Sequence, residues 1–131
     1  MHKTYVQTEL GGGSHYDAAM LSIAHKGCMN VLRHAGMLNS ELELAATRLL
    51  EVRNDSWYVY AACDGLYEPL TYPGEAVWRN EPIANIVNLS NTSDPQCNVF
   101  PPHNAVLIGH HPGGMVHEGE LIAVLADEVQ G

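Results

Sequence analysis

Positive charge is scarce in this chain. Six Lys and Arg stand against fifteen Asp and Glu, giving a formal net charge of −9. Lys3, Lys26, Arg33, Arg48, Arg53 and Arg79 are scattered, with no run among them. Phosphate recognition needs clustered cations, so direct nucleic-acid binding is disfavoured, and an anionic membrane surface for the same reason. No stretch approaches the roughly 18 apolar residues of a membrane span. Residues 1–10 hold no apolar run of the signal-peptide kind, so no signal peptide is expected. Cys28, Cys63 and Cys97 are odd in number and without CxxC spacing, which reads as three reduced, mostly buried thiols. The expected setting is the cytoplasm or an intracellularly assembled particle. HExxH, GxGxxG and a phosphate-binding loop are all missing.

What is present suffices for one folded domain. The chain has 131 residues, 46% of them hydrophobic, enough for one core. Residues 1–10 read as an arm, which Gly11-Gly12-Gly13 uncouples from the body. The expected organisation is arm and glycine linker over residues 1–13 and a single α+β domain over 14–131. In residues 16–35, Leu21, Ala24, Cys28, Leu32 and Ala35 recur at helical steps, Asp17 lies in the first turn, and Gly36 suits a left-handed C-cap. Ser40 and Glu43 form a capping-box pattern for a second helix. Its buried face would be Leu42, Ala45, Ala46, Leu49 and Leu50, with Asn54-Asp55 ending it. The two helices read as a hairpin packed on a mainly antiparallel sheet, with Leu32, Leu49, Val106 and Ile108 in the core. Strands are expected over residues 57–63, 76–78, 83–89, 105–109 and 121–125.

The densest chemistry lies between Pro101 and Glu120. His103, His110, His111 and His117 are four of the eight histidines, with Glu118 and Glu120 beside the last. Imidazoles with a carboxylate suit a divalent metal such as zinc. A turn after the strand at 105–109 would return His117 to His103. The competing reading is that these are exposed or hydrogen-bonded turn histidines, with no cofactor. His111-Pro112-Gly113-Gly114 is similar to the haem-ligating segment of cytochrome b5-like domains, but it precedes a strand instead of lying among short helices.

Residues 81–129 resemble the C-terminal half of the PPC (plants and prokaryotes conserved) domain. The resemblance is carried by Glu81-Pro82-Ile83, by Val87-Asn88-Leu89-Ser90, and by Pro102-His103-Asn104-Ala105-Val106-Leu107-Ile108-Gly109. Val116-His117-Glu118 and Ala126-Asp127-Glu128-Val129 complete it. Ala105 stands where that family has a second histidine. The resemblance implies an oligomeric α+β module with His103 and His117 matching family histidines.

Two functions follow as expectations. The first is a non-enzymatic, self-assembling structural or interaction module, a homo-oligomer joined through the N-terminal arm, with a virion or other large assembly as one version. The second is a small oligomeric PPC-like protein that binds a metal or ligand through the His103/His117 segment. No catalytic residues are assigned.

Overall fold

The computed structural model describes residues 5–11, 17–91 and 95–129. The chain divides into two compact units, residues 1–46 and 47–131.

In the first unit, helix α1 spans Ala18–His34. Asp17 is its N-cap instead of a first-turn residue, its carboxylate accepting from the Met20 N–H at 2.8 Å. Gly36, at φ +70°, closes the other end. The Met37 N–H donates to the Leu32 carbonyl at 2.9 Å and the Gly36 N–H to the Arg33 carbonyl at 3.0 Å, the paired bonds of a Schellman motif. Both ends are thus encoded locally.

The second helix does not form, and α1 is the one α-helix among the described residues. The residues of its expected capping box serve α1 instead. The Ser40 hydroxyl accepts from Arg33 Nε at 2.9 Å. The Glu43 carboxylate pairs with Arg33 at 2.9 Å, and the Glu43 N–H donates to Asn30 Oδ1 at 3.0 Å. Beyond them, Leu49–Glu51 becomes strand β1. The helical hairpin on a sheet is therefore corrected to a single helix. Leu32 and Leu49, expected in the core, are 37% and 47% exposed, and Cys28 is exposed as well. Of the arm, residues 5–11 are exposed and form no strand, while residues 1–4 and most of the glycine linker lie outside the described residues.

The second unit is built from antiparallel strands: β1, β2 (Tyr58–Tyr60), β3 (Gly65–Pro69), β4 (Ala76–Val77), β5 (Ala84–Val87), β6 (Cys97–Val99), β7 (Ala105–His110), β8 (Gly114–Val116) and β9 (Leu121–Val129). A short 3-10 turn, Asp55–Trp57, precedes β2. One sheet runs β1-β9-β7-β4 with β2 also on β9; the other runs β6-β5-β3-β8. Strand β9 is the hub, bonded to β1, β2 and β7. Its nearly unbroken apolar sequence fits that position, with Ile122, Ala123, Leu125 and Ala126 buried. Val59, Val77, Leu107 and Leu125 of one sheet share a core with Tyr67, Ile86, Val99 and Val116 of the other.

Strand β7 departs from the expected continuous burial at one place. Its register against β9 shifts between Leu107 and Gly109, leaving Ile108 at the irregularity and 38% exposed, while Val106 is buried as expected. Arg48 ties β1 to β9. Its guanidinium donates to both Glu128 carboxylate oxygens, at 3.2 and 2.9 Å, and to the Gly74 carbonyl at 3.1 Å. The fold is α+β, with one helix and antiparallel sheets. No helix among the described residues is long and apolar enough to cross a membrane.

Candidate functional site

The histidines of the 101–120 segment are distributed over three places. His103 lies before β7, its Nε2 3.1 Å from the Ser56 hydroxyl and its ring 5.2 Å from that of buried Trp57. It is held against the turn that leads into β2.

His110 ends β7 and His111 follows it. The His110 Nδ1–H donates to the His111 carbonyl at 2.6 Å. A carbonyl only accepts, so this bond fixes the proton on Nδ1 and, in the neutral ring, leaves Nε2 an acceptor. The His111 N–H donates to the Ile122 carbonyl at 2.8 Å, anchoring the corner to β9. Its side-chain Nδ1 is buried and has no hydrogen-bond partner among the described residues. Both rings pack on Tyr67, with centroids at 6.3 Å for His110 and 5.7 Å for His111. A cavity of about 310 Å³ opens beside them, lined by His110, His111, Pro112, Leu121 and Val124 among others.

His117 follows β8, in a tight turn that Gly119 completes at φ +84°. The His117 N–H donates to Glu120 Oε2 at 3.0 Å, and His117 Nδ1 lies 3.2 Å from Glu120 Oε1. These contacts, led by the backbone N–H, hold the Glu120 carboxyl below its ordinary range against the cost of desolvation; the charge of His111 acts in the same direction. Glu118 is oriented by its backbone, whose N–H donates to Asp64 Oδ1 at 2.8 Å.

The expected metal set was His103, His110, His111, His117 and Glu118. His103 belongs to the Ser56–Trp57 contact and His117 to Glu120, so the turn does not set these two against a shared partner. No three His, Cys, Asp or Glu side chains among the described residues converge to hold a metal ion. The donors described do not by themselves fit a divalent cation. What the structure does bring together is His110, His111 and Tyr67. Tyr67 carried no sequence signal. It lies in β3, whose place beside β8 follows only from long-range pairing.

Burial pushes the Tyr67 phenol up to about 12. The neutral form is the one the fold favours. Tyr67 therefore contributes stability fully present below the unfolded tyrosine pKa of about 10, lost as pH rises through the folded value. In an absorbance titration at 295 nm, Tyr67 should ionise in a final step near pH 12 or with unfolding. The Tyr67→Phe variant should lack that step. A variant that instead loses amplitude in the ordinary step at about pH 10, with the last step intact, would show that the phenol is open to solvent.

No protein-family model matches the chain. Several enzymes do. The chain is 28% identical over 130 residues to the N-alpha-acetyl-L-2,4-diaminobutyric acid deacetylase of Halomonas elongata, a match covering 98% of this chain and 38% of that protein. The ectoine utilization protein EutE (DoeB) from Ruegeria pomeroyi, in its product-bound structure, aligns with a TM-score of 0.80 at 33% identity over 91% of this chain and 36% of that one. The succinylglutamate desuccinylase/aspartoacylase from Rhodobacter sphaeroides aligns with a TM-score of 0.81 at 27% identity, over 94% of this chain and 39% of that one. The chain thus spans somewhat over a third of the length of the proteins it matches.

These similarities correct two expectations. The fold is that found in the succinylglutamate desuccinylase/aspartoacylase proteins, not a PPC domain. Among the similar proteins are a deacetylase and a succinylglutamate desuccinylase/aspartoacylase, both enzymes by name, which overturns the reading as a non-enzymatic structural module or virion component.

Proposed function

We propose that this chain forms part of a hydrolase that removes an acyl group from the nitrogen of a small amino acid. The supporting observation is the identity running through 98% of the chain to a deacetylase of Nα-acetylated 2,4-diaminobutyric acid. The reaction class is hydrolysis of an amide. Water adds across the carbonyl carbon–nitrogen bond, the acyl group leaves as a carboxylic acid, and the nitrogen leaves as the amine with the proton it gains.

Within that reaction, the chain's part is to bound and orient substrate beside the β7–β9 corner. The His110 tautomer leaves Nε2 able to accept a hydrogen bond, and the buried His111 Nδ1, beside an open cavity, has no partner among the described residues. A substrate N–H is a suitable donor to either ring. Tyr67, neutral and buried, keeps both rings in place from below.

The test is a chimera in which this chain replaces the segment it matches in the Halomonas elongata deacetylase, assayed for free amine from Nα-acetyl-L-2,4-diaminobutyric acid. One hydrogen bond is worth about 0.5–1.5 kcal/mol. His111→Ala in the chimera should therefore raise KM roughly two- to tenfold, with a smaller change in kcat. A KM equal to that of the unmodified chimera would remove the corner from the substrate's surroundings. A folded chimera that releases no amine would contradict the function.

A further inference from the structure

Two of the three cysteines meet, and the proposed function uses neither. Burial alternates along the chain entering β3: Ala61, Gly65 and Tyr67 are buried and Cys63 half-buried, while Ala62 and Asp64 are exposed. Cys63 therefore faces the same side as Tyr67. On β5, Ile86 stands opposite Tyr67 on one flank and opposite Cys97 of β6 on the other. Paired residues share a face, so Tyr67, Ile86 and Cys97 form one row across the sheet. Gly65 sets no side chain on this row, where a Cβ would lie 2.7 Å from Ile86 Cγ2. The bare position lets the chain run close over β5. Cys63 and Cys97 pack against the same core, and the Cys97 side chain lies within hydrogen-bonding reach of the Cys63 thiol.

We propose that Cys63 and Cys97 are a redox couple, closed into a cystine by a low-molecular-weight disulfide such as glutathione disulfide and reopened by thiols. Cys97 opens an edge strand bonded, among the described residues, to β5 alone, so it can take up the shift that closure requires. Desolvation first, then the contact with Cys97, with Asp64 and Glu118 adding their charge, pushes the Cys63 thiol up to about 11. Its thiolate is scarce at neutral pH, which makes Cys97 the point of entry and Cys63 the resolving partner. The Cys97 thiolate attacks the small disulfide, forming a mixed disulfide and releasing one thiolate. Cys63 gives up its proton, and its sulfur attacks that of Cys97, releasing the second. Each released thiolate takes up one of the two protons the cysteines gave, so one disulfide is reduced to two thiols as the pair is oxidised. The cystine would tie β6 to the turn over residues 61–65. That turn holds the β8–β9 connection, with the Gly119 N–H donating to the Ala61 carbonyl and the Glu118 N–H to Asp64 Oδ1, each at 2.8 Å. Closure thus stiffens the frame from which Tyr67 supports His110 and His111.

The test uses the Cys28→Ser chain, which lacks the exposed thiol and keeps the pair. In glutathione buffers of rising oxidised fraction, the folded chain should lose both thiols together and become about 2 Da lighter, with no glutathione adduct accumulating. Peptide mapping without reductant should find the segments carrying Cys63 and Cys97 joined. Amides of β6 should exchange at least roughly tenfold more slowly in the closed form and recover their rate with dithiothreitol. A further Cys63→Ser change should stall the reaction at a glutathione adduct on Cys97. Should that variant not fold, the mass and peptide map of the Cys28→Ser chain decide by themselves. Thiols that stay reduced, or that each carry their own glutathione, in a chain with native circular dichroism would overturn the couple. So would a link that forms only in urea, since the two sulfurs would then meet only in the unfolded chain.

Discussion

Truncating Leu125 to alanine should lower the unfolding free energy of the unit formed by residues 47–131 by about 2–5 kcal/mol. Leu125 is fully buried, at 0% exposure, on the strand that pairs with β1, β2 and β7. Trimming its isobutyl group to a methyl takes away the transfer free energy of three carbons and leaves a cavity. The hub strand cannot shift to fill it without disturbing three ladders at once. The matching control is Leu49→Ala. Leu49 sits on β1 at 47% exposure, so its truncation should cost about 1 kcal/mol or less, in the range of surface changes. Urea denaturation of the two variants checks the pair, and equal losses would mean that the hub strand is not the centre of the core.

Gly65→Ala should be the other large loss, about 1–3 kcal/mol from overpacking. A Cβ at this position would lie 2.6 Å from the Val87 carbonyl oxygen and 2.7 Å from Ile86 Cγ2. Neither neighbour can yield cheaply. Val87 O is backbone in the β3–β5 ladder, and Ile86 is 1% exposed. The strain would fall at the start of β3, two residues from Tyr67, and should loosen the support of His110 and His111. Gly109→Ala is the comparison, since a Cβ there meets nothing within 4 Å. Thermal melts should separate the two clearly. A Gly65→Ala protein as stable as the Gly109→Ala protein would show that β3 and β5 do not approach as described.

The parts legible in the sequence are those written locally. Asp17 and Gly36 mark the ends of α1 within two residues, because caps are contacts between near neighbours. The apolar runs at 105–109 and 121–125 foretell β7 and the first half of β9. The second helix misled for an instructive reason. Ser40 and Glu43 have the spacing of a cap, but Arg33 and Asn30 compete for the same groups and win. Strands β3 and β8 were hidden because Pro69, Gly113 and Gly114 read as breakers, while their pairing joins residues far apart in the chain. At the site, the segment was legible and the geometry was not. Sequence spacing cannot show that His103 turns to Trp57 while His117 turns to Glu120, nor that Tyr67 arrives beneath His110.

Amine release by the chimera, run beside its parent enzyme on Nα-acetyl-L-2,4-diaminobutyric acid, bears most directly on the account. A misplacement on the order of 1 Å at a reacting centre costs roughly a hundredfold in rate. A chain that shares the fold at 28% identity should therefore leave the chimera with at least about a hundredth of the parent kcat/KM. A chimera with native-like melting and no detectable amine would contradict it.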